Sequence, residues 1–149
     1  MEKKVCVRKG EHMPSKMLVK YDPSGKNPKK CGLMSQANTG LTQFRLGLVE
    51  MPPGLEIGGH IHNCDEILYV LEGKGIFTVN GVEYECGPED MVYVGPNEAH
   101  GPQKNTGDKP WRYLFIMGQP MNPLGEEDVC FPSGEYVIPR DRPYTPPKI

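Results

Sequence analysis

Glycine and proline constrain this chain more than any other feature: 18 glycines and 16 prolines lie scattered among short apolar runs, not gathered in one tract. Glycine is costly to order inside a helix and proline breaks one outright, so this pattern excludes a helical bundle. No uninterrupted apolar run exceeds five residues, the length of Ile67 to Leu71. A bilayer-crossing helix needs roughly twenty. A length of 149 residues suits one domain with one core. With 17 basic and 19 acidic side chains the net charge is −2, which offers no electrostatic footprint for nucleic acid or an anionic membrane. The start, Met1 to Cys6, is basic but runs into Arg8-Lys9-Gly10-Glu11 and not into an apolar stretch, so the expectation is no secretory leader and a cytoplasmic protein. The five cysteines, at 6, 31, 64, 86 and 130, are an odd number without a Cys-x-x-Cys pair. That suits reduced thiols better than a disulfide framework or a zinc ribbon.

Three regions follow from the punctuation. Residues 1–40 are polar and broken by Pro14, Asp22-Pro23, Gly25, Asn27-Pro28 and Gly40, and read as an extended N-terminal arm. Residues 41–117 alternate short β-like runs with turn signals, the spacing of an antiparallel barrel. Asn80-Gly81, between Phe77-Thr78-Val79 and Val82-Glu83-Tyr84, is the strongest hairpin signal, because a type I′ turn needs positive φ at both central residues. Residues 118–149 carry seven prolines, which disfavours regular ladders and predicts an extended C-terminal segment packing on the barrel or on a partner.

The chemistry-bearing residues concentrate in the middle region. His60-x-His62-x3-Glu66 gathers three metal-capable side chains within seven residues. Residues i and i+2 of a strand share a face, so His60 and His62 can present two imidazoles to one point. Glu66 cannot join them along a straight strand, since four residues would carry it roughly 13 Å away. The chain must turn back at Asn63-Cys64-Asp65, so that Glu66 opens the antiparallel neighbour. His100, after the Pro96-Asn97-Glu98 turn, can complete the set.

These residues resemble the cupin superfamily. Its first motif, G-x5-H-x-H-x3-E-x6-G, is met at every fixed position by Gly54, His60, His62, Glu66 and Gly73. Gly87, Pro96, His100 and Asn105 follow in the order of its second motif, with altered spacings. The resemblance implies a small jelly-roll β-barrel, usually dimeric, holding one divalent metal through His60, His62, Glu66 and His100. Three imidazoles and a carboxylate suit Fe, Mn, Ni, Cu or Zn and leave about two cis positions open for a chelating substrate.

If Glu66 points inward, the period of two puts Leu68 and Val70 inward as well, an apolar pocket wall beside the metal, and turns Ile67, Tyr69 and Leu71 outward against an arm or a second subunit. Arg45 is either a solvent-side charge or an anchor for a substrate carboxylate. Cys64 is expected to face outward from its turn, and the other four cysteines likewise to be unreactive surface thiols. The inward set of the apolar run Trp111 to Met117 is ambiguous, because both of its faces are apolar. Two functional classes compete. One is a metal-dependent enzyme on a small chelating substrate, foremost a dioxygenase, with redox-neutral lyase, isomerase or decarboxylase chemistry as the variant. The other is a non-catalytic module that binds a sugar or other metabolite.

Overall fold

The computed structural model describes residues 6–11, 13–14, 29–34, 39–40, 43–61, 64–118 and 129–131. Among the described residues twelve strands run β1 Met13–Pro14, β2 Lys29–Met34, β3 Phe44–Met51, β4 Glu56–Ile57, β5 Gly59–Ile61, β6 Glu66–Glu72, β7 Gly75–Val79, β8 Val82–Cys86, β9 Met91–Val94, β10 His100–Asn105, β11 Trp111–Gly118 and β12 Val129–Phe131. They form two antiparallel sheets. The first has the order β1-β2-β3-β11-β6-β9 and the second β12-β5-β10-β7-β8, with β4 also on β10. This is the all-β jelly roll expected from the sequence. Three strands outside residues 41–117 join it: β1 pairs with β2, β2 with β3, and β12 with β5 despite the prolines on either side. Among the described residues no helix is long and apolar enough to cross a membrane.

The strands form where alternation gives one buried face. Along β3, Gly47, Val49 and Met51 are buried between half-buried neighbours, and along β6 Glu66, Leu68 and Val70 are buried. Strand β11 resolves the ambiguous run: Trp111, Tyr113, Phe115 and Met117 point inward, and Arg112, Leu114 and Ile116 point outward. Its inward residues meet Phe77, Leu68, Val70, Val49 and Met51 in one core. Phe77, Trp111 and Tyr113 pack ring against ring at centroid distances of 4.4–5.0 Å. Fully burying each such side chain contributes about 1.5–3 kcal/mol, and the tilted and T-shaped contacts add a fraction more. Gly75 makes this possible, since a Cβ there would lie 2.4 Å from the Trp111 ring. The β7–β8 hairpin turns at Asn80 and Gly81 with φ of 48° and 80°, as its sequence requires.

The cysteine expectation needs correction. Cys64 and Cys86 are buried, and only Cys6 of the three cysteines whose side chains are described is exposed. Cys64 belongs to the apolar core, with the thiol serving as a small hydrophobe. Burial pushes the Cys86 thiol up, and the neighbouring Asp90 and Glu85 charges push it further. It is therefore a poor nucleophile at neutral pH.

Candidate metal centre

The site is built where the two sheets face each other at one end of the sandwich. In the second sheet, His60 on β5 is the register partner of His100 on β10, and His100 is the partner of Val79 on β7. In the first, Arg45 on β3 is the partner of Met117 on β11, which is the partner of Glu66 on β6. Strand pairing thus lays two rows across the sandwich, one carrying imidazoles and the other a cation, a thioether and a carboxylate.

His60 and His100 approach unusually closely for partnered strands. The backbones permit it because Gly101, at φ +102°, lies so near Gly59 that a Cβ on it would stand 2.4 Å from the Gly59 Cα. The β10–β7 register also shifts between His100 and Gln103, and such an irregularity re-aims the side chain beside it. The result is a ring pair with centroids 4.1 Å apart. The two Nε2 atoms are 2.9 Å apart, and His100 Nε2 is 3.1 Å from Glu66 Oε2. His100 and Glu66 are buried, 1% and 5% exposed, so neither is solvated in place of these contacts.

The remaining ring nitrogen of His100 lies 3.1 Å from the carbonyl oxygen of Glu98. A proton on Nδ1 satisfies that carbonyl and leaves the Nε2 lone pair aimed at the cluster, the arrangement that fixes metal-ligating histidines. Glu98 is itself clamped: its carboxylate accepts from the Gly95 amide at 2.6 Å and from Asn80 Nδ2 at 2.7 Å.

His60, Glu66 and His100 together can hold a metal ion, their donor atoms all lying within 4.8 Å of one another. The fit is chemical as well as geometric. Ligand atoms at metal bond lengths near 2.1 Å stand about 3.0 Å apart when cis in an octahedron. The observed separations of 2.9 and 3.1 Å match that value. His62 lies outside the described residues.

The substrate candidates are placed as follows. Leu68 and Val70 point inward, as alternation from Glu66 predicts, and are buried in the core. Arg45 is on the inner face: its Nη2 is 3.3 Å from Met117 Sδ and its guanidinium carbon 6.0 Å from the centre of the inward Phe115 ring. One strand separates it from Glu66, which sets their backbones roughly 10 Å apart. Sequence reasoning missed Tyr113. Its hydroxyl donates to Gln103 Oε1, both side chains being buried. Burial pushes the phenol well above its ordinary range and the Glu66 charge adds to the effect, so Tyr113 is a neutral donor and not a base.

Residues 47–117 match the family model described as a cupin domain. The chain belongs to the cupin superfamily. Among its relatives, this cupin is 30% identical over 95 residues to the tetracenomycin polyketide synthase protein TcmJ of Streptomyces glaucescens, covering 63% of this chain and 62% of that one. It is 31% identical over 70 residues to the oxalate-binding protein of Thermotoga maritima, covering 46% of this chain and 57% of the relative. The match thus spans less than two thirds of either relative. A crystal structure described as a predicted oxalate decarboxylase from Thermotoga maritima superposes with a TM-score of 0.63 at 26% identity, covering 76% of this cupin and 97% of the other chain.

Proposed function

We propose that this cupin is a metal-dependent enzyme acting on a small acid that chelates through two oxygens, with His60, His62, Glu66 and His100 as ligands of one divalent ion. The observation that carries the reading is the convergence of half-buried His60 with buried Glu66 and His100, the donor atom of His100 standing at cis-octahedral spacing from each of the other two, with Arg45 in the facing row of the same layer. The names of the relatives support a cupin enzyme of small oxygen-rich acids in general. A divalent ion held there would polarise the substrate oxygens as a Lewis acid and, if redox-active, would let O₂ react beside them.

The chain's own residues supply the rest. Arg45 pairs with a substrate carboxylate and orients it, since its planar fork matches a carboxylate's two oxygens. Leu68 lies one inward position beyond Glu66 and Val70 two, so the floor under the reacting atoms is apolar and dry, which strengthens every charge interaction above it. Glu98 holds His100 in the ligating tautomer. Tyr113, kept neutral, donates to Gln103 and takes no proton from substrate. Oxidative cleavage by a dioxygenase-type reaction is the leading subtype, and redox-neutral decarboxylation the second, favoured by the oxalate-related names among the relatives. We place the enzyme in the cytoplasm as a homodimer, in keeping with its free thiols and with the apolar outer face of the first sheet.

The test is metal analysis of protein purified without added metal, followed by oxygen-uptake and CO₂-release assays over enediols, catechols, 2-oxo acids and oxalate. Stoichiometric metal with oxygen consumed is the expected result. CO₂ release without oxygen uptake would select the decarboxylase, and equal turnover by metal-free and loaded protein would overturn the metal's role.

A further inference from the structure

The jelly roll is open along one side, where β8 ends the second sheet and β9 ends the first. A groove of about 490 Å³ lies there, within the range of small-molecule sites. Its apolar lining comes from Val79, Val82, Tyr84, Met91, Val92 and Tyr93. Four of these, Val82, Tyr84, Met91 and Tyr93, are 48–68% exposed and are four of the six large apolar side chains exposed among the described residues. Exposed apolar surface is normally scattered. Here it is gathered into one concave site.

The groove lies on the same register row as the metal centre. His60, His100, Val79 and Val82 are successive register partners across β5, β10, β7 and β8. Val82 therefore stands two strands from His100, roughly 10 Å along the row. On the facing sheet, Val92 is the partner of Leu68, and the next inward residue, Val94, is the partner of Glu66. Glu98 belongs to both places: its carbonyl oxygen lies 3.1 Å from the His100 ring nitrogen, and the residue lines the groove.

We infer that this groove is the specificity subsite of the proposed reaction and holds a flat, apolar ring of the substrate, whose chelating acid end reaches the metal centre and Arg45. The acid end rests on the reading given under Proposed function; the ring subsite rests on the groove. Two tyrosine rings and a methionine thioether suit an aromatic occupant, through offset stacking and sulfur–ring contact. A β-strand of another chain is a poorer occupant. Glu83 and Glu85 on β8, and Glu89 and Asp90 in the turn to β9, put four exposed carboxylates along these edges, and edge charge opposes strand addition. The substrate class is thus an aromatic hydroxy acid and not a small dicarboxylate.

The test uses the full chain, metal-free and zinc-loaded, titrated with 3-hydroxy-2-naphthoate, salicylate and oxalate and followed by amide chemical shifts. Expected are shifts at Val82, Tyr84 and Val92 with the naphthoate in both forms, tightened at least tenfold by zinc, and affinity for loaded protein in the order naphthoate, salicylate, oxalate. The double change Val82→Ser, Tyr84→Ser should weaken naphthoate at least tenfold and leave oxalate within twofold, while Tyr84→Phe keeps wild-type affinity. No shift at those three amides in either form overturns the subsite, as does undiminished naphthoate binding by the double variant. A double variant that loses a dimer seen in the parent shows a second copy covering the groove, and also overturns it. Naphthoate shifts that zinc does not tighten, with oxalate bound by neither form, leave the subsite standing and overturn the chelation reading instead.

Discussion

At the residue scale the site is a problem of unshared protons. His60 and His100 bring two Nε2 atoms to 2.9 Å, and a buried carboxylate oxygen lies 3.1 Å from the second. Without an ion, one of the two nitrogens must carry a proton if they are to bond each other. A divalent ion satisfies all three lone pairs at once. From this we expect His62→Ala to lower metal content from one per chain to a small fraction while the protein stays a folded β structure by circular dichroism. The double change His60→Ala, His62→Ala should abolish it. One tightly held ion surviving the double change would show that the ligands lie elsewhere. Spacing made the grouping of His60, Glu66 and His100 legible before any fold was known, since ligand chemistry and the period of a strand are local properties. The side of Arg45 was not legible, because a single charge between apolar neighbours is compatible with either face until the sheet's register is known.

At the scale of elements, the close approach of β5 and β10 is the decisive contact. Any side chain at Gly101 would strike the Gly59 backbone, and φ of +102° is strained for every residue but glycine. Gly101→Ala should therefore destabilise the protein, the backbone strain alone costing about 1–3 kcal/mol. It should also part the two imidazoles and weaken metal affinity at least tenfold. Gly10→Ala, with nothing within 4 Å of the new methyl, is the matched control and should change neither property. A Gly101→Ala protein that melts and binds metal like the parent would show the approach to be incidental. Hairpin β7–β8 and the alternation of β6 could be read in advance. The buried positions of Cys64 and Cys86 could not, because a short apolar thiol beside turn residues gives no sign of which way the turn folds.

At the scale of the whole molecule, the first sheet has two apolar faces and only one core to fill. Leu46, Ile116 and Ile67 are successive partners across β3, β11 and β6, and Leu48, Leu114 and Tyr69 form the adjacent row. All six lie on the outer face, where Ile67 is 37% exposed and the other five are half-buried. A surface of this kind is characteristic of a subunit interface. Light scattering at micromolar concentration should give twice the chain mass of 16.6 kDa. A monomeric mass would leave that face without a second copy to cover it.

The sequence by itself determined the β architecture, the β7–β8 turn and the metal-capable residues. Each depends on a few neighbouring side chains: turn chemistry, alternation, and ligand type at strand spacing. Only the tertiary structure decided which face of β11 is buried, that Arg45 shares a layer with Glu66, that Glu98 orients His100, and that an apolar groove opens beside the centre. These depend on the pairing of strands distant in the chain. Register between such strands is fixed by how both sheets pack at once, and no local pattern carries it.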